Sequence, residues 1–122
     1  MVEERRRNRS NEPAEALKLQ LEASATRAGF SSLALAEEHG LIVASAGEPT
    51  ESEEVAALSP QFAGACELWH GTVATEGGEK LLTIAAVRSA AGPLFLTAVG
   101  GMRREIVPEL VRSGQGVCRI LA

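Results

Sequence analysis

The side chains that could do chemistry in this sequence are two cysteines, two histidines and a set of glutamates. Cys66 or Cys118, paired with His39 or His70, would supply the nucleophile and the base of covalent catalysis. Their spacing does not indicate such a pair, and the chain has no GxSxG, Walker, GxGxxG or HExxH motif. We therefore expect a protein that is not an enzyme and that carries no cofactor and no metal centre.

The cysteines and the charged clusters have simpler interpretations. Cys66 and Cys118 both fall on apolar stripes of helical spacing, where buried structural thiols are expected. The glutamates of residues 51–54 fit the first turn of a helix, where the macrodipole favours negative charge. Residues 100–104, Gly-Gly-Met-Arg-Arg, could hold an anion at a helix start, but they lack a full phosphate motif. A simple chain reversal is the alternative.

Composition excludes several classes of protein. The 122 residues fit one globular domain, with 45% hydrophobic and 23% charged residues. Aromatic residues make up 3%, which argues against a stacking platform for single strands. All sixteen acidic residues are glutamates, and the net charge beyond residue 10 is −6, from eight basic and fourteen acidic residues, which argues against duplex DNA. With no secretory signal and no membrane-length apolar run, we expect a cytoplasmic protein without nucleic-acid or membrane partners.

The N-terminal region divides into a charged arm and a helix. Four arginines lie within residues 1–11, which are predicted to form a disordered Arg-rich arm ahead of a domain at residues 12–122. Within that domain an apolar stripe predicts a first helix over residues 12–28, with Pro13 in its first turn. Gly29 is expected to end the helix.

Five apolar runs bounded by turn residues are predicted as strands: 30–36, 41–45, 71–75, 81–88 and 94–99. Gly40 supplies the positive φ for a hairpin between the first two. The second run is nearly continuous, so both of its faces are expected to be covered. The third run also continues a helical spacing, so strand and helix both stay open for it.

Two more helices follow from spacing and capping. Thr50, with Glu53 completing a capping box, predicts the start of the second helix, and Pro60 is expected to kink it or split it after Leu58. Trp69 continues this spacing and is more often a core residue than a contact, although an exposed tryptophan would be an interface anchor. The last helix begins after Gly101 with Pro108 in its first turn. One apolar face of it is predicted from Val107, Leu110, Val111, Gly114, Val117, Cys118 and Leu121.

This order, α-β-β-α-β-β-β-α, predicts an α+β fold: one domain with a five-stranded antiparallel sheet and helices packed on it. The segment Leu33–Gly47, above all Gly-Leu-Ile-Val-Ala-Ser at residues 40–45, resembles the Roadblock family of dynein-light-chain-type domains. The resemblance extends over roughly residues 13–121. Ten arginines against two lysines, with abundant alanine, indicate a GC-rich bacterial genome.

The resemblance implies a Roadblock/profilin-like fold and a cytoplasmic homodimer, or a dimer with a paralogue, whose sheets join across a two-fold axis through the third strands. It also implies a non-catalytic partner of a small Ras-like GTPase, acting as an activating protein, an exchange factor or a scaffold. The dimer edge strand would then be Gly71, Thr72, Val73, Ala74 and Thr75, and the candidate partner-interface residues are Arg88, Arg103, Arg104 and Trp69. The alternative function is a small-ligand sensor domain of similar layout.

Overall fold

The computed structural model describes residues 2–64 and 66–122, with side chains described from residue 13 onward. Three helices and five strands follow in the predicted order, which confirms the predicted fold class. Their bounds are α1 Val2–Ala28, β1 Phe30–Glu37, β2 Ile42–Gly47, α2 Pro49–Ala63, β3 Leu68–Thr75, β4 Gly78–Ser89, β5 Gly92–Gly100 and α3 Ile106–Leu121.

The strands form one antiparallel sheet in the order β2-β1-β5-β4-β3, so β2 and β3 are its edges. Residues 71–75 lie in β3, which resolves their assignment as strand. The helical spacing that was predicted to continue through Trp69 to Val73 is wrong, because α2 ends at Ala63 and Gly64 follows with a φ of 48°. Aromatic and β-branched residues after it favour a strand, and β3 pairs with β4 along its whole length.

The helices cover the two faces of the sheet unequally. One face, here called the α1/α3 face, takes the large side chains of the central strands, such as Leu33, Leu35 and Leu96, against α1 and α3. The opposite α2 face takes small ones, such as Ala34 and Ala36, against Val55 and Ala56 of α2. Successive residues of a strand point to opposite faces, so β1 is buried on both of them.

The second strand differs from its prediction. β2 was expected to be covered on both faces, but it is an edge strand whose Val43 is exposed, and Leu41, which precedes it, is 70% exposed. Its continuous apolar run therefore does not mark a central strand. The hairpin turn itself is confirmed, since Gly40 has a φ of 89° and the Glu37 carboxylate accepts from the backbone N–H of His39 and Leu41.

The first helix begins earlier than predicted, at Val2 rather than residue 12, and continues through Pro13. Glutamate and arginine have high helix propensity, which favours this extension of the backbone. The side chains of residues 1–12 lie outside the described residues, so the contacts of the four arginines and the division into arm and domain stay predictions. Gly29 ends the helix with a φ of 73°, as predicted.

The second helix is capped two residues earlier than the sequence indicates. The N-cap is Glu48, whose carboxylate accepts from the N–H groups of Thr50 and Glu51, so the cap predicted at Thr50 is wrong. The helix is not split at Pro60. That proline stands in the last turn, where its own carbonyl accepts from Gly64 N–H at 3.1 Å, and only one hydrogen bond is lost to it.

Glu51 connects the start of α2 to the sheet through hydrogen bonds. Its carboxylate accepts from the hydroxyls of Ser31 and Ser32 on β1, at 2.7 and 2.6 Å, and from Lys80 Nζ on β4 at 2.6 Å. Burial alone raises the pKa of Glu51, but the hydrogen bonds from Lys80, Ser32 and Ser31 outweigh it and lower the pKa to about 2. The charged form is therefore the one that stabilises the fold.

We expect this carboxylate to give the protein an acid-sensitive stability. The pKa of Glu51 is lower in the folded chain, at about 2, than its ordinary value of 4.5. Its contribution is therefore complete well above pH 4.5 and is lost as the pH falls towards 2, which amounts to roughly 3 kcal/mol. In urea titrations at pH 7 and pH 3, Glu51→Gln should lower stability at pH 7 and flatten the change between the two.

The matched control is Glu53→Gln, which removes an exposed carboxylate two residues away. It should leave both titrations within about 0.5 kcal/mol of the wild type. An equal loss in the two variants would contradict a specific contribution from the contacts of Glu51.

Candidate interaction surface around the third strand

The outer edge of β3 is open for pairing. Its eight residues, Leu-Trp-His-Gly-Thr-Val-Ala-Thr, include no charge and no proline, which are the usual devices that protect an edge from other strands. The other edge strand, β2, has six residues, and its pairing with β1 shifts register between Leu35 and Ala36. Strand addition is therefore better supported at β3.

An aromatic pair borders this edge on the α2 face. The ring centroids of Trp69 on β3 and Phe62 on α2 are 5.1 Å apart, and Trp69 also packs against Ala63 and Ile84. A Cβ at Gly71 would lie 2.8 Å from the indole, so only glycine lets the ring lie along the strand. Trp69 is thus half-buried and lies on a strand rather than on the predicted helix, and its role as an interface contact stays a prediction.

On the α1/α3 face, an apolar groove of about 810 Å³ separates β3 from α3, and we call it the α3 groove. Leu68 of β3, 47% exposed, lines one side of it. Val107 and Val111 of α3, 42% and 55% exposed, line the other side. Both valines were predicted on one apolar face with Leu110, which is buried, so that face is only partly used by the core. The remaining lining residues include Ala85, Val87, Gly114 and Cys118.

The structure does not bring the three candidate arginines together. Arg88 lies near the end of β4, paired in register with Pro93 at the start of β5, and Arg103 and Arg104 follow the last residue of β5. A nine-residue strand of about 25 Å separates them. Arg88 is 86% exposed and lies 3.5 Å from Glu67, whereas Arg103 and Arg104 make no ion pair among the described residues. Their role in partner binding stays a prediction.

The fold does not support catalysis by a cysteine–histidine pair among the described residues. Cys66 lies exposed in the segment between α2 and β3, so its predicted burial on a helix is wrong, because α2 ends before it. Cys118 is half-buried on α3, with its Sγ 3.5 Å from the Arg88 carbonyl. His70 Nδ1 lies 2.7 Å from Thr83 Oγ1, and His39 Nε2 lies 3.8 Å from Glu38. Neither of these contacts joins a cysteine to a histidine.

The segment before α3 forms a turn. Gly100 and Gly101 have φ values of 71° and 105°, and the N–H groups of Glu105 and Ile106 both donate to the Met102 carbonyl. These N–H groups are thus occupied by the chain itself, which favours the chain-reversal interpretation over an anion site. Among the residues described, no cluster of three or more His, Cys or Glu side chains is placed to bind a metal ion. None of the helices described is both long and apolar enough to span a membrane.

Comparison with solved structures shows that the chain has the Roadblock fold, as its sequence predicted. Solved structures that share this fold include MglB proteins. MglB of Myxococcus xanthus superposes with a TM-score of 0.66, 13% identity and 88% of each chain covered. An MglB with a tetrameric arrangement gives 0.69 and 16%, and the gliding protein MglB of Thermus thermophilus gives 0.66 and 15%, each over 89% of this chain and 90% of the other.

At identities of 13–16% these similarities show the fold alone. No family model matches the sequence, and no curated protein matches it either. The functional residues must therefore be argued from the geometry of this chain. The open β3 edge, the aromatic pair and the α3 groove are the features of that geometry that point to binding.

Proposed function

We propose that this protein is a dimeric, non-catalytic interaction module that regulates or scaffolds a small Ras-like GTPase in the bacterial cytoplasm. The observation that carries the proposal is the uncharged, unpaired β3 edge in a chain with the Roadblock fold. The sequence resemblance at residues 40–45 implies the same kind of partner. One of the similar MglB structures has a tetrameric arrangement, so self-association is compatible with this fold.

The dimer would form by antiparallel pairing of two β3 strands across a two-fold axis. Such pairing satisfies the free backbone groups of both edges and joins the two sheets into one of ten strands. Strand pairing alone buries little surface, whereas a stable dimer buries about 1,200–2,000 Å² in total. Phe62, exposed beside the edge on the α2 face, and the half-buried Trp69 would supply apolar area next to the paired strands.

The experiment that tests the proposed function is capture of a GTPase from a lysate of the source organism. The purified chain is immobilised, and the lysate is supplied either with GDP or with a non-hydrolysable GTP analogue. Enrichment of a small GTPase in one nucleotide state supports the proposal. Preference for the GTP form indicates an activating or effector role, and preference for the GDP form indicates exchange. Absence of any GTPase from both arms contradicts it.

One version of the proposal is that the protein activates GTP hydrolysis by supplying an arginine in trans, and the positions of the arginines make this version testable. Such an arginine contributes about 10³–10⁵ to the rate. Since the length of β5 separates Arg88 from Arg103 and Arg104, only one end of the sheet can supply it. In single-turnover assays we expect the loss of stimulated GTP hydrolysis, more than tenfold, to occur in only one of the variants R88A and R103A/R104A, with the other changing it less than threefold. Unchanged hydrolysis in the triple variant would exclude an arginine acting in trans.

The alternative, a small-ligand sensor, finds one supporting observation in the α3 groove. Its volume of about 810 Å³ falls in the range of small-molecule pockets, about 300–1,000 Å³. Its charged residues, Glu67, Arg88 and Arg119, are exposed at its margin and do not converge inside it. A thermal-shift screen of nucleotides and metabolites tests the alternative, and the interaction module predicts no hit.

A further inference from the structure

The fold brings the two cysteines of the chain to the same corner of the domain, where β4 nears its end beneath α3. Cys66 lies in the segment between α2 and β3, and Cys118 lies near the end of α3, 52 positions further along the chain. Both are free thiols in this structure. Nothing in their spacing relates them, so any chemistry between them depends on the tertiary fold.

The register of the sheet places Cys66 beside the last part of β4. The ladder between β3 and β4 begins at Leu68, and one more backbone hydrogen bond, from Ala86 N–H to the Glu67 carbonyl at 2.8 Å, extends it by a residue. One residue further in that register, Cys66 stands opposite Val87, where opposed Cα atoms are about 4.5–5.5 Å apart. Cys66 is exposed at this outer edge of the sheet, so solvent and small oxidants reach it.

The third helix carries Cys118 over the same part of β4. Gly114 lies one turn before Cys118 on α3, and a Cβ added there would lie 3.5 Å from the Val87 side chain. The Cys118 thiol donates to the Arg88 carbonyl at 3.5 Å. Cys118 packs against the core and is half-buried. The two thiols thus flank Val87 and Arg88, one from the neighbouring position of the sheet edge and the other from the helix packed on the sheet.

A disulfide between these thiols requires only a small movement, and Cys66 is the one free to make it. The Cα atoms of a disulfide lie about 4.4–6.8 Å apart. Cys66 belongs to neither α2 nor β3, and its N–H donates to the Ala63 carbonyl at 2.7 Å, so the chain turns there. A segment outside the helices and strands shifts without breaking their hydrogen bonds. Cys118, by contrast, is fixed by the packing of α3.

We propose that Cys66 and Cys118 form a reversible redox-modification site, at which hydrogen peroxide joins the α2–β3 segment to α3. The Cys66 thiolate attacks one peroxide oxygen, the O–O bond breaks, and a sulfenic acid forms. The Cys118 thiolate then attacks the Cys66 sulfur, so that the S–O bond breaks and the S–S bond forms. The two thiol hydrogens and the peroxide leave as two water molecules, and the sulfurs lose the two electrons that the peroxide gains. This inference depends on neither the dimer nor the GTPase proposed above.

The test treats the reduced full chain, at low concentration in native buffer, with hydrogen peroxide. Remaining thiols are then alkylated, and mass spectrometry after proteolysis identifies linked peptides. We expect a link between Cys66 and Cys118 of one chain that dithiothreitol removes. Because the link closes a long loop, the oxidised chain should unfold at a midpoint about 5 °C or more above the reduced chain.

The matched control is C66S/E53C, which keeps two thiols but moves one to α2. Glu53 is exposed, and α2 packs on the face of the sheet opposite to α3. The fraction of chains linked internally should therefore be at least tenfold lower than in the wild type. Cys66 and Glu53 are both exposed, so circular dichroism should show the variant folded.

Several results would overturn the inference. One is that both thiols stay open to alkylation after peroxide treatment. Another is that oxidation ends at a sulfinic acid on either cysteine, or at a covalent dimer through Cys66, with no internal link. Equal internal linkage in the wild type and in C66S/E53C would show that the fold does not select the pair. A linked chain that unfolds at a lower temperature than the reduced chain would show that the bond does not fit the fold.

Discussion

Thr72→Lys should convert the proposed dimer into a monomer, with a dimer dissociation constant at least a hundredfold higher than that of the wild type. Thr72 lies in the middle of β3 and is exposed on the α1/α3 face. In an antiparallel pair across a two-fold axis, the introduced lysine meets or neighbours its own copy. Like charges at such positions destabilise strand pairing, and a lysine on an edge is a common protection against it. Sedimentation equilibrium measures the dissociation constant.

The matched control places the same charge on the opposite edge of the sheet. Val43 of β2 is 44% exposed, so Val43→Lys adds one lysine to an edge strand without disturbing the core. We expect V43K to dimerise as the wild type does and both variants to unfold within about 0.5 kcal/mol of it at low protein concentration. Dissociation by V43K, with T72K still dimeric, would show that β2 and not β3 is the interface.

Loss of the Glu109 carboxylate should strongly destabilise the fold of a protomer. Glu109, 3% exposed in the first turn of α3, accepts a two-point contact from Arg27 at the end of α1, Nε at 3.1 Å and Nη2 at 2.9 Å. The hydrogen bonds from Arg27 lower the pKa of Glu109, although burial opposes them. Because Arg27 is about half exposed, Glu109→Ala should cost about 2–3 kcal/mol, below the full cost of breaking a buried pair.

The two partners should differ in their pH dependence. Arg27→Ala leaves the carboxylate buried without its main partner, so at pH 7 it should destabilise the fold at least as much as E109A. Protonation relieves this buried charge, and the gap between R27A and the wild type should therefore shrink as the pH falls below about 4.5. Urea unfolding at pH 7 and pH 4 measures both effects. R112A, which removes an exposed arginine 3.5 Å from the same carboxylate, is the control and should cost less than 1 kcal/mol. A gap that widens in acid would contradict this account.

Local sequence signals were sufficient to predict most of the fold. Glycines with positive φ mark the hairpin at Gly40 and the end of α1 at Gly29, and both were readable because only a residue without Cβ adopts that conformation at little cost. The order of elements followed from alternation and helical spacing. The start of α2 was misplaced because a glutamate, which is not among the common caps, holds the N-terminal N–H groups.

The interaction surface was less accessible to sequence analysis. Trp69 was expected on a helix because residues 55–73 satisfy helical spacing, and only the pairing of β3 with β4 decides otherwise. Val107 and Val111 fall on the predicted apolar face of α3, yet whether that face is buried depends on where the sheet ends beneath it. The Glu51 and Glu109 contacts join residues from 19 to 82 positions apart, a separation that local spacing does not encode.

The measurement that tests the central claim most directly is the mass of the complex with the captured GTPase in sedimentation velocity. The account predicts a complex of one dimer with GTPase in one nucleotide state and little complex in the other. It also predicts that T72K, as a monomer, loses this complex and that V43K retains it. A complex that T72K forms as well as the wild type would show that the dimer is not the binding unit. The absence of a complex in both nucleotide states would contradict the role as a GTPase partner.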